Sequence, residues 1–245
     1  MPTYGGFETV TELHRGALGA VWSARRAGSP AKDEPAFAVR TCQPDGAILG
    51  EGRAAAAIEA FLARANAQQK AAQAAPLAES RWAQVYEIGR IPRTDTEPAG
   101  VFMVTDFAAR GTADRLASAR TTIDAPTLGM LVDGVIAGLR QIASDSGGAR
   151  AHGRLEPANV LLLSGTPGQP SGRGGKGRFT RIALADPAAS ILGEKDEAAR
   201  EDQFALGRLI YLLVRHEPFR GQLPIETGPE WDRLGKSGSG WRELT

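Results

Sequence analysis

Apolar positions along the chain alternate in the first hundred residues and recur at helical spacing afterwards. Residues 7–26 read FETVTEL, HRGALG, AVWSARR. Alternating β-branched and aromatic side chains on either side of a glycine-bearing turn predict two strands. Residues 27–35 are polar, with Gly and prolines, and predict a loop. Residues 36–40, AFAVR, predict a short third strand. Residues 51–75 are rich in Ala and other good helix formers, with no proline before Pro76, and predict one long helix. Residues 82–91 and 100–107, WAQVYEIGRI and GVFMVTDF, predict two more strands around a polar link, for a five-stranded antiparallel sheet.

The second half changes period. Residues 114–118 suggest a short helix. Residues 126–143 carry Leu128, Leu131, Val132, Val135, Ile136, Leu139 and Ile142, a 3.6-period stripe that predicts a helix. Residues 160–163 form an unbroken apolar strand, and residues 179–185, FTRIALA, another. Between them residues 164–176, SGTPGQPSGRGGK, predict a mobile loop. Residues 202–215, DQFALGRLIYLLVR, are apolar nearly all round, as in a helix at the centre of a domain. Residues 231–245 suggest the start of a further helix. The class is α+β, a sheet followed by a mainly helical part.

Composition narrows the function. The chain has 245 residues, enough for one large or two-lobed domain with a sizeable core. Its 29 Lys and Arg against 28 Asp and Glu give a net charge of +1, no electrostatic case for nucleic acid or a membrane surface. A single cysteine, Cys42, excludes an internal disulfide and suits a reducing compartment. No signal peptide is expected from MPTYGGFETV, and no uncharged apolar run is long enough to span a bilayer, so the expected location is cytoplasmic. Richness in Ala, Gly and Arg suggests a GC-rich bacterial source.

Candidate chemistry sits at residues 151–163, AHGRLEPANVLLL, a polar loop between a helix and a buried strand. Read as H-x-x-L-x-P-x-N before an apolar strand, it resembles the catalytic loop of protein kinases, H-R-D-L-K-P-x-N. His152, Leu155, Pro157 and Asn159 match. Arg154 stands where the family has its proton-accepting Asp, and Glu156 where it has a phosphate-contacting Lys. Both changes reverse charge, and a guanidinium cannot accept a proton.

Other segments resemble the family in the same order. H-x-G-x-x-G-x-V resembles the glycine loop with His14 in place of its first Gly and with Gly16, Gly19 and Val21 kept. AFAVR resembles the V-A-I-K strand, with Ala38 and with Arg40 in place of Lys. On the long helix, Arg64 or Ala65 falls where an acid is expected. Thr105 falls at the back of the adenine pocket, residues 106–108 at the hinge, and Asp186-Pro187-Ala188 at the metal-binding D-F-G. About 15 residues separate Asp186 from Asp202, and they hold no A-P-E anchor.

The resemblance covers residues 7–219 and implies a two-lobed kinase-like fold, with an N-lobe of residues 1–107 and an abbreviated C-lobe of residues 108–245. It implies a nucleotide cleft lined by Gly16, Gly19, Val21, Ala38, Arg40, Thr105 and Leu161, and metal positions at Asn159 and Asp186. Two readings of the last pair stay open. They hold Mg²⁺, or Asn159 caps the loop while Asp186 pairs with Arg40 or Arg154. The expected function is a degenerate kinase, a pseudokinase, that engages a protein partner or other domains of a longer chain, binds nucleotide weakly or not at all, and has no expected cofactor. The alternative is an ATP- and Mg²⁺-dependent transferase of unusual chemistry, and a third reading is a switch gated by ATP without turnover.

Overall fold

The alternation of the first half becomes a sheet of six strands. In the computed structural model of the protein, which describes residues 1–119, 122–143, 151–164, 179–188, 195–222 and 228–245, these are β1 (Thr3–Tyr4), β2 (Phe7–Gly16), β3 (Gly19–Arg26), β4 (Phe37–Cys42), β5 (Val85–Ile91) and β6 (Gly100–Asp106). All neighbours are antiparallel, in the order β1-β2-β3-β4-β6-β5. The expected count of five is thus corrected to six. Gly5, at φ 55°, turns the amino terminus back onto β2, and Tyr4 lies on the ring of Phe102 at 5.6 Å.

Strand β6 is buried at every position because both of its faces are covered. Phe102 and Val104 join Phe7, Ala24, Phe37 and Val39 on one face. Val101 and Met103 point the other way, onto Phe61 and Ala65 of a long helix. That helix is α2 (Glu51–Gln73), preceded by the single turn α1 (Gly46–Leu49), which Asp45 caps through the Ala47 N–H.

The helical half is built from α3 (Ala113–Ser118), α4 (Ala125–Ala143), the hairpin β7 (Val160–Leu163) and β8 (Arg181–Leu184), and α5 (Lys195–Arg215). The stripe of α4 and the apolar face of α5 meet β7 and β8 in one core with Trp82 and Trp231. Helix α5 begins about two turns before the expected 202, because the polar residues ahead of the apolar run are still good helix formers. The end of the chain forms α6 (Pro229–Asp232) and α7 (Gly238–Glu243) around a short turn where Gly235 has φ 66°. Trp231 and Leu234 are buried in the same core, with Trp241 packed against it. The loop expected over 164–176 lies outside the described residues, apart from Ser164.

One expected strand is shorter at its start. Residues 82–84 do not continue β5. Ala83 N–H donates to Leu184 O and Leu184 N–H donates to Arg81 O, so this segment pairs with β8 instead. The Trp82 indole, fully buried, donates to Gly138 O of α4 at 2.9 Å. The sheet is thereby fastened to the helical core. Among the described residues no helix is long and apolar enough to cross a membrane.

Candidate functional site

The polar loop 151–159 is shaped by α5 beneath it. Asp202, on that helix and 3% exposed, accepts the backbone N–H of His152 at 2.6 Å and of Gly153 at 3.0 Å. Gly153 sits at φ 69°, where a Cβ would also stand 2.9 Å from the Ala188 Cβ. His152 is fully buried and stacked on Trp82. Its Nδ1 accepts the Arg154 N–H at 3.2 Å, which leaves Nε2 protonated and donating to Ala185 O at 3.0 Å. Burial pushes His152 down to about 4, so the ring is neutral. Asp202 is raised by its burial, against the pull of the two loop amides. Asn159 turns inward and donates to Arg154 O at 2.9 Å. These contacts hold the loop's backbone.

The loop's outward chemistry converges on Asp186. This residue follows β8, is 8% exposed and has a positive φ of 54°. Its Oδ2 accepts from Arg154 Nη1 at 2.9 Å and from Arg40 Nη2 at 3.2 Å. Its Oδ1 accepts from Arg64 Nε at 3.2 Å. Arg40 comes from β4, Arg64 from α2 and Arg154 from the loop, so one carboxylate ties three separate elements together. Burial alone would raise the Asp186 carboxyl. The charges of Arg40, Arg154 and Arg64 outweigh it and hold the group below the usual carboxylate range.

Asp186 is fixed through its backbone as well. Its N–H donates to Gln68 Oε1 at 2.8 Å, and Gln68 Nε2 donates to Ala83 O at 3.1 Å and Thr105 Oγ1 at 3.4 Å. Gln68 was not singled out from the sequence. The available signal was a polar residue inside the buried stripe of α2 that holds Phe61, Ala65 and Ala72, four positions after Arg64.

The other expected cleft residues lie on the sheet, on β7 and at the β2–β3 turn. Arg40 is opposite Val21 in the β3–β4 ladder, and Ala38 is opposite Thr105 in the β4–β6 ladder. Leu161, half-buried on β7, packs with Ala83 and Ala185. Glu156 is exposed at the start of the short turn Pro157–Asn159. Gly16 and Gly19 pair across the β2–β3 turn, and His14 lies exposed on β2. Gly19 approaches β4 so closely that a Cβ would fall 2.1 Å from Thr41 O. Thr41 Oγ1 takes the Ala20 N–H at 2.9 Å, and Gln43 N–H reaches Leu18 O at 2.7 Å. The tip of the hairpin is therefore bonded down onto β4, and the Ala20 amide is committed there.

Behind the site is a buried ion pair. Arg181 of β8 donates to Asp106 Oδ2 at 3.1 Å and to Ser80 O at 3.1 Å. Asp106 also accepts from Tyr86 Oη at 2.7 Å and from Gln84 N–H at 3.0 Å. Burial and the Asp106 charge push the Tyr86 hydroxyl far up, so it stays protonated and donates to Asp106.

Chemically, position 154 can donate hydrogen bonds and supply positive charge. It offers no base. Both nitrogens of His152 are engaged with backbone, and both oxygens of Asp186 face guanidinium groups. Among the described residues no three His, Cys, Asp or Glu side chains are placed together to hold a metal ion.

No family model matches the chain, and no curated protein matches it. Among solved structures it is similar to Rad53 1–466 in complex with AMP-PNP, with a TM-score of 0.55 and 15% identity. The match covers 98% of this chain and 57% of the Rad53 chain, so this chain spans little more than half of that one. Rad53 is a protein kinase, and the likeness shows that this chain has a kinase-like α+β fold.

Proposed function

We propose that the chain is a pseudokinase-type binding module, of two lobes at residues 1–107 and 108–245, that engages a protein partner or another domain of a longer chain. The observation that carries this reading is the Asp186 cluster. The carboxylate at the family's metal position is bonded to Arg40, Arg64 and Arg154, and Arg154 occupies the place of the proton acceptor.

The residues present do not fit the metal that the fold family implies. A divalent cation at Asp186 would face three guanidinium groups within hydrogen-bond distance of the same oxygens. Loss of a positioned base alone removes about 10²–10⁴ in rate. What supports a retained structural role is the Asp202–His152 scaffold, which keeps the loop in shape without its chemistry.

The test is transfer of radiolabelled γ-phosphate from Mg·ATP, to the chain itself and to a generic protein substrate, beside an Asp186→Asn variant. Equal background labelling is expected. Labelling by the wild type that the variant lacks would overturn the reading.

A further inference from the structure

The Asp186 cluster carries more positive charge than it neutralises. Three guanidinium groups around one carboxylate leave a surplus of two positive charges. Each arginine has five N–H donors, and each gives one of them to Asp186. The arginine side chains are 29%, 27% and 39% exposed, so the cluster is partly open to solvent. The three come from a strand, a helix and a loop that are each held from behind. Like charges fixed this close repel one another, and a second anion relieves that repulsion. Guanidinium forks match the oxygens of a tetrahedral oxyanion in pairs.

We propose that Arg40, Arg64 and Arg154 form a metal-independent oxyanion site beside Asp186 that takes a phosphate group. The proposal rests on the reading that this cleft is folded around its own ion pairs rather than around a metal. It adds a ligand class and a sign. In a metal-dependent phosphate site, Asp186 promotes binding by holding the cation. Here it is a resident competitor, and removing its charge strengthens binding.

The experiment titrates inorganic phosphate into the full chain in EDTA, by calorimetry and by thermal shift against potassium chloride of equal ionic strength. Phosphate also stabilises folded proteins by exclusion from their surface. The reading is therefore the difference between the wild type and its variants. Saturable binding is expected, weakened about tenfold or more in Arg64→Gln and in Arg154→Gln, as for loss of a charge-assisted hydrogen bond. Asp186→Asn is expected to bind about tenfold more tightly. Arg64→Lys keeps the charge without the fork and is expected to fall between Arg64→Gln and the wild type, which covers failure of the Gln variants to fold.

A rise with phosphate that never saturates, or that all variants share, would overturn the site. So would weaker binding in Asp186→Asn. Pyrophosphate and ATP, both in EDTA, form the second arm, with equal affinities expected. ATP binding much more tightly than pyrophosphate would overturn the assignment to the phosphate group alone. Radiolabel transfer decides the pseudokinase reading and phosphate titration decides this one, so either can fail without the other.

Discussion

A guanidinium at position 154 differs from a carboxylate in its charge and in its inability to accept a proton. It also holds Asp186 in place, so restoring the acceptor alone is not expected to give phosphate transfer. Arg154→Asp would set a carboxylate against Asp186 and remove the shortest of its three ion pairs. The expected outcome is a lower melting temperature and no gain in γ-phosphate transfer. Transfer above background would show that one residue is what separates this cleft from catalysis. His152 sets a pH dependence. Folded, it is held at about 4, against 6.5 for the ordinary side chain. As pH falls from 6.5 toward 4 the unfolded chain takes up a proton that the folded chain refuses, so stability falls through that window. Asp186, depressed, adds stability that is lost at still lower pH as it titrates in the fold. Asp202, raised, works in the opposite direction and offsets part of the His152 loss. Melting temperatures between pH 7 and 4 check this, and a His152→Asn variant should show a shallower decline from 6.5 downward.

Strand β8 joins the sheet to the helical core. Its Arg181 is 7% exposed and meets Asp106, 4% exposed, at the end of β6. Replacing Arg181 with Met leaves a buried carboxylate without its cation, a loss of about 3–5 kcal/mol. Chemical denaturation should show that loss, and a change below about 1 kcal/mol would mean that Tyr86 and the Gln84 amide suffice for Asp106. The Asp202 carboxylate is the corresponding tie beneath the loop. Asp202→Ala strands the buried His152 N–H, at about 1–3 kcal/mol, frees that of the exposed Gly153, and is expected to raise hydrogen exchange at those two amides first.

Periodicity made most elements legible. The stripe of α4, the apolar runs of α5 and β6 and the alternation of β2 and β3 follow from local spacing alone. Boundaries were missed where a non-local partner decides them, as at Trp82, whose segment pairs with Leu184. A two-residue strand such as β1 has too short a pattern to read.

At the scale of the molecule, three sequence departures that look independent are one structural fact. Arg40, at residue 40, Arg64 and Arg154 are far apart in the chain and converge on Asp186. The motif order showed where two of them belong, and the charge reversal at 154 set a guanidinium where the family has its proton acceptor. Sequence left two fates open for Asp186, metal or ion pair, because side-chain direction across three elements is set by the assembled fold. Gln68, which fixes the Asp186 backbone, belongs to no motif, and its one sequence signal was a polar residue within an apolar helical stripe.

Calorimetric titration of Mg·ATP into the full chain bears most directly on this account. A cleft tied by its own ion pairs should bind it only weakly, through its phosphates, and adding Mg²⁺ to ATP should not strengthen it. A low-micromolar dissociation constant that depends on Mg²⁺ would mean that Asp186 leaves its arginines to hold a metal, contrary to the account.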